Sequence, residues 1–136
     1  MILTDAGVLV ALFEPREKEN HKRCAKAYRN IDEDLITTLA CLTEAMYFLG
    51  ELKGWRGQEK LWYLVESDSL KIYNLTETDL SRMKILMEKY QDTPMDFADA
   101  SLVVAAESLK TNKIFTLDSD FYVYRINDTK NFEIIP

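Results

Sequence analysis

Met1-Ile2-Leu3-Thr4-Asp5-Ala6-Gly7-Val8-Leu9-Val10-Ala11-Leu12-Phe13 is the stretch that decides the fold. Ile2 to Thr4 is a short apolar run that stops at Asp5, Ala6 to Phe13 resumes the apolar character, and Glu14-Pro15 ends it. The pattern predicts a buried strand that turns directly into a short helix, with a carboxylate at the joint. Four more acids interrupt core-type runs: Glu44 within Leu39 to Leu49, Asp96 and Asp99 within Pro94 to Ala106, and Asp118 after Ile114-Phe115-Thr116-Leu117. An ionised carboxylate withdrawn from water without a partner costs about several kcal/mol, and no Lys or Arg lies inside those runs. A hard divalent cation, Mg²⁺ or Mn²⁺, is the economical partner, because it takes carboxylate oxygens and leaves positions open for phosphate. The reading is a metal-dependent phosphodiesterase, a ribonuclease first.

Outward from this stretch, strands and helices alternate. Glu17 to Tyr28 is charged with a thin apolar stripe and reads as a surface helix. Leu35-Ile36-Thr37 reads as a strand, and Thr37 or Thr38 caps a helix from Leu39 to Leu49 that stops at Gly50. Trp55 to Glu66 carries Leu61, Trp62, Leu64 and Val65 on a helical face, and Leu70 to Leu75 alternates as a strand. Thr76 or Thr78 opens a helix through Leu80, Met83, Leu86 and Met87. Thr93-Pro94 begins another that reaches Lys110, Lys113 to Leu117 is a strand, and Phe132 to Ile135 is a last edge strand. This order predicts an α/β fold with a mainly parallel central sheet covered on both faces, its site at the carboxyl ends of the strands. Asp5 and Asp118 each stand at such an end.

The bulk numbers set bounds. A chain of 136 residues reads as a single domain, 1–136, and a composition 47% hydrophobic and 29% charged is that of a soluble globular protein. No apolar run approaches the ~20 residues needed to cross a bilayer. The opening lacks a basic leader, so the cytoplasm is the expected compartment. Cys24 and Cys41 have no Cys or His neighbour at metal spacing and read as ordinary thiols. The net charge of −6 counts against a general nucleic-acid coat protein, and less against a nuclease whose excess acids face cations. Four scattered glycines exclude a phosphate-binding glycine loop.

Each acid also has a structural reading. Asp99, in a helix apolar on nearly every face, could hydrogen-bond a core Ser or Thr. Asp96 follows Thr93-Pro94-Met95 as in a capping box, and can cap while supporting Asp99 from one helix face. Glu44 has the alternative of a narrow polar stripe with Glu51, Asp5 of a helix cap, and Asp118 of a turn, the role expected of Asp120. Thr116 is expected to be an ordinary strand residue rather than a hydroxyl at the site. His21, the only His, is expected to be exposed, without a catalytic role. Jointly, Asp5, Glu44, Asp99 and Asp118 supply the number of carboxylates that in-line hydrolysis with one or two divalent ions requires.

Ile2-Leu3-Thr4-Asp5-Ala6-Gly7, Leu42-Thr43-Glu44-Ala45, Met95-Asp96-Phe97-Ala98-Asp99-Ala100-Ser101-Leu102 and Phe115-Thr116-Leu117-Asp118-Ser119-Asp120-Phe121 resemble the four motifs of PIN domains, nearest to the small VapC type of toxin-antitoxin pairs. The resemblance implies a three-layer α/β/α fold, Mg²⁺- or Mn²⁺-dependent endoribonuclease activity, homodimerisation and an antitoxin partner, with Asp5, Glu44, Asp99 and Asp118 as the acidic quartet and Asp96 beside it. Gly7 departs from the pattern, since many members carry Ser or Thr there, which leaves Asp5 less supported. Substrate contacts would fall to Arg16, Lys18, Lys22, Lys53, Arg56 or Arg125. The Trp55 to Tyr63 helix and Phe13 are candidate partner surfaces whose expected fate is burial in the core. Two alternatives stay open: a non-catalytic PIN-like interaction module, and a phosphatase or phosphoacceptor domain using Asp5, which lacks the usual second Asp at Gly7.

Overall fold

β1 (Ile2–Thr4) is wholly buried and passes through Asp5 into α1 (Ala6–Phe13). The computed structural model describes residues 1–136. α2 (Lys18–Asn30) leads to β2 (Leu35–Thr38), α3 (Leu39–Lys53) and α4 (Trp55–Glu66) to β3 (Leu70–Tyr73), and α5 (Glu77–Lys89) and α6 (Phe97–Leu109) to β4 (Lys113–Phe115). A 3-10 turn (Ser119–Tyr122), the two-residue strands β5 (Arg125–Ile126) and β6 (Lys130–Asn131), and β7 (Glu133–Ile135) complete the chain.

Five strands form one parallel sheet in the order β3-β2-β1-β4-β7, with Leu3 opposite both Ile36 and Ile114. Six helices flank it in a three-layer α/β/α arrangement, as the alternation predicts. Parallel strands covered on both faces must be apolar throughout. Ile2, Leu3, Leu35, Ile36, Ile114 and Phe115 are accordingly buried. The chain builds outward from β1 through β2 to β3, then returns to place β4 on the other side of β1. The strand order therefore reverses between β1 and β4, and their carboxyl ends splay around a crevice, the place where open α/β sheets hold ligands.

α6 is the central helix. Ala98 to Ala106 are buried without a break, and the alanines let it approach β1, β2 and α3 closely. Its exposed end is tied by Glu107, which takes two hydrogen bonds from Arg82 of α5 at 3.1 and 2.9 Å and one from the Asn127 amide at 2.7 Å. Arg82 and Lys89 both reach Asp128 at 3.1 Å, so the β5-β6 hairpin is fastened to α5 and α6. Behind it, Phe121 meets Tyr124 and Phe132 edge to face at 5.2 and 5.4 Å, and Tyr124 meets Tyr90 at 5.1 Å.

Several boundaries differ from the sequence expectation. The last long helix starts at Phe97 rather than Thr93-Pro94, because Asp96, not Thr93, closes the capping box, and residues 90–94 form turns. α3 continues past Gly50 to Lys53 and ends at Gly54, whose φ of 63° is easily reached only without a side chain. Gly57 then lets α4 turn back against α3, since a Cβ there would sit 2.9 Å from the Lys53 Cβ. Thr38 and Thr76 are the caps used. The β5-β6 hairpin has no counterpart in the sequence reading. Trp55, Trp62 and Tyr63 are exposed rather than core, leaving Leu61 and Leu64 to bury the helix. His21 is half-buried rather than exposed: its Nδ1 lies 2.8 Å from the Ala11 carbonyl and joins α2 to α1. No helix is long and apolar enough to cross a membrane.

Candidate active site

Asp5 caps α1 from the end of β1: its Oδ1 accepts from the Ala6 amide at 2.7 Å. Its other oxygen, Oδ2, accepts from the Thr116 hydroxyl at 2.7 Å. Thr116, fully buried at the end of β4, also accepts from the Asp118 amide at 3.0 Å. One hydroxyl thereby couples the acid after β1 to the loop carrying the acid after β4. The expectation of an ordinary strand residue is corrected, and this bond gives Asp5 the support that Gly7 does not. The Thr-x-Asp spacing was the available signal, since a side chain two residues before a strand-end acid points to the same face.

Asp118 has the turn role as well as its place in the crevice. Its Oδ1 accepts from the Asp120 amide at 2.9 Å, opening the 3-10 turn. Asp99 and Asp96 form a reciprocal capping box at the start of α6: Asp96 Oδ1 accepts from the Asp99 amide at 2.7 Å, and Asp99 Oδ2 from the Asp96 amide at 3.3 Å. Asp99 is buried, and its Oδ2 also receives the Tyr124 hydroxyl at 3.4 Å, which lies 3.2 Å from the Pro94 carbonyl. The alternative of a core Ser or Thr partner for Asp99 does not occur. Ser101 instead bonds Thr38 and the Ala98 carbonyl, both at 2.6 Å.

The fold brings three acids into one cluster. Asp5, Asp99 and Asp118 each offer a carboxylate oxygen, and the three lie within 4.8 Å of one another. Glu44 and Asp96 are not in that group, but both line the same cavity of about 550 Å³, Glu44 half-buried and Asp96 exposed. Glu14 and Glu17 line it too, and no Lys or Arg does. Glu14 was not foreseen: it is buried at the end of α1 and held by Arg16, whose Nε and Nη2 donate at 2.6 and 3.1 Å, keeping its carboxyl down at about 2. Two candidate substrate-contacting cations are thereby occupied, because Arg16 is bound to Glu14 and the Leu52 carbonyl, and Arg125 to the carbonyls of Tyr122, Val123 and Tyr124.

Crowding leaves an electrostatic signature. Burial first, then Asp96 and Asp5, push the Asp99 carboxyl up to about 8. Burial raises Asp5 despite its two hydrogen bonds, and raises Glu44 with help from Asp96 and Asp5. Cys41, buried beside them, is pushed up to about 12 and stays a neutral thiol. No cation of the protein enters the cluster, so the negative charge is compensated either by protons or by a bound metal. Three convergent oxygen donors with space alongside fit Mg²⁺ or Mn²⁺.

The protonation balance sets a pH dependence. With Asp99, Asp5 and Glu44 raised, the folded chain binds more protons than the unfolded chain between the ordinary carboxylate range and the raised values, so stability falls as pH rises through that window. In chelator, the melting temperature is expected to be lower at about pH 8 than at about pH 5.5, and Asp99→Asn is expected to flatten this difference. A parent protein that melts higher at the upper pH would refute the charge-crowding account.

The PIN domain family matches the chain over residues 2–127. Ribonuclease VapC26 of Mycobacterium tuberculosis (strain ATCC 25618 / H37Rv) is 23% identical over 136 residues, covering 99% of this chain and all of that protein. The crystal structure of Mycobacterium tuberculosis VapC20, a sarcin-ricin loop cleaving toxin, superposes with a TM-score of 0.82 at 15% identity, over 90% of this chain and 94% of that one. VapBC2 from Rickettsia felis, bound to a DNA fragment from its promoter, superposes with a TM-score of 0.68 at 14% identity over the full length of both chains. A toxin-antitoxin complex from Klebsiella pneumoniae gives 0.68 at 16% identity, over 89% of this chain and 90% of that one. The family match spans nearly the whole chain and takes in every acid of the crevice, and the chain belongs to the PIN domain family.

Proposed function

We propose that this protein is a single-domain, metal-dependent endoribonuclease that hydrolyses RNA phosphodiester bonds in the cytoplasm as the toxin of a toxin-antitoxin pair. The carrying observation is the convergence of Asp5, Asp99 and Asp118 within 4.8 Å at the reversal of strand order, in a cavity with no positive side chain. The names of the relatives support the substrate and the antitoxin partner. Homodimerisation rests on the family resemblance.

Asp5, Asp99 and Asp118 would hold Mg²⁺ or Mn²⁺. A bound ion of this kind supplies a nucleophilic water at neutral pH and positive charge for the leaving oxygen. Thr116 fixes the rotamer of Asp5 and, through the Asp118 amide, the start of its loop. Glu44, raised but half-buried at the rim, accepts a proton from water entering the cavity, and Asp96 holds the α6 terminus so that Asp99 faces inward. The phosphoacceptor reading is disfavoured, because Gly7 stands where its usual second acid would be.

Asp99→Asn can keep the capping bond to the Asp96 amide while removing a charge. It is expected to fold, to lose calorimetrically measured Mn²⁺ binding, and to lose RNA cleavage. Cleavage at the parent rate would sink the assignment. Thr116→Val strips Asp5 of its donor and leaves the Asp118 amide unpaired, and is expected to weaken Mn²⁺ binding by about tenfold or more while Thr116→Ser retains it. Equal affinities in Val and Ser variants would mean that the hydroxyl does not orient Asp5.

A further inference from the structure

Glu44, Phe48 and Leu52 are spaced four residues apart on α3, and all three line the cavity, so one helix face runs outward from the acidic cluster. Beyond Glu44 that face becomes apolar. Phe48 is 50% exposed and Leu52 45%, with Val10 and Ala11 of α1 lining the same cavity and Glu17 and Asn20 supplying polar groups. Phe48 also borders a second hollow, with Thr43 and Tyr47, that shares Glu44 and Asp96 with the first. Phe48 thus lines two depressions that both reach the acidic rim. Tyr47 packs edge-on against it at 5.4 Å and restrains its orientation.

The charge pattern bears on the occupant. Phosphate is repelled by carboxylate walls except where a cation sits, so a nucleic-acid strand crossing this rim keeps its backbone at the acidic cluster and turns a neutral base into the adjoining hollow. Every base has a face that stacks on an aromatic ring, and unpaired RNA is bound in this manner. The ionisable groups lining the cavity are all carboxylates, which accept hydrogen bonds from the N–H groups that each base presents on its pairing edge.

We infer that Phe48 is a stacking platform for an unpaired base flanking the scissile phosphate. The inference rests on the ribonuclease reading and adds a determinant of substrate choice. Half-exposed Phe48 contributes little to the core, so its variants remain folded.

The test uses the full chain with Mn²⁺ and a short single-stranded RNA whose cleaved bond has been mapped. Phe48→Ala is expected to raise KM about tenfold, Phe48→Tyr to recover most of it, and both to bind Mn²⁺ as the parent does in calorimetry. An abasic nucleotide beside the cleaved bond is expected to raise the parent's KM similarly and to add little to Phe48→Ala. A parent that cuts RNA alongside a Phe48→Ala variant with unaltered KM would overturn the platform and leave this face to a protein partner. A parent that binds Mn²⁺ and cuts no RNA would overturn the ribonuclease reading and the subsite with it.

Discussion

Mutual repulsion among carboxylates held out of water is the constraint on which the structure turns. Asp5, Asp99 and Asp118 come from three separate parts of the chain, and each would be easier to bury alone. The fold holds them together by giving each carboxylate a second task that fixes it. Asp5 caps α1, Asp118 opens the 3-10 turn, and Asp99 completes the box at the head of α6. Backbone amides at helix starts favour the charged form and partly offset desolvation. Burial and the neighbouring Asp96 and Asp5 still raise Asp99, so the offset is incomplete and a divalent cation would relieve it.

The rest of the fold keeps these positions rigid. β1 and β4 are adjacent and in register at Thr4 and Phe115, so their following residues emerge side by side. Thr116 spans the remaining gap with one hydroxyl. α6 reaches the crevice because its alanine-rich body packs tightly on the sheet, and the Tyr90-Phe121-Tyr124 cluster supports the Asp99 end from behind. The ties from Arg82 and Lys89 to Glu107 and Asp128 lie at the opposite end of α6, where they cost the site no positive charge.

The surface separates into unlike regions. The acidic crevice continues into the apolar strip of Phe48 and Leu52, whereas α4 exposes Trp55, Trp62 and Tyr63 with Glu59, Lys60 and Glu66. The sequence reading placed these aromatics in the core because they share a helix with Leu61 and Leu64. Helix periodicity identifies which residues lie together, but not how wide a face the neighbouring elements cover.

The sequence by itself determined the parallel α/β architecture, because a buried strand in a covered sheet has to be apolar along its length and the intervening helices alternate with such runs. It also determined that carboxylates would stand at the ends of β1 and β4, since Asp5 and Asp118 directly follow those runs. What it left open was decided by tertiary structure. Thr116 became a bridge only when β4 was laid beside β1, Glu14 joined the crevice only through the packing of α1 against α3, and Glu44 reached the cavity without joining the tight cluster. The helix start moved from Thr93 to Asp96 because the box needed Asp99 as its partner. Local patterns specify which groups a segment offers. Distances across residues 5, 99 and 118 depend on strand order and helix packing, which no local pattern contains.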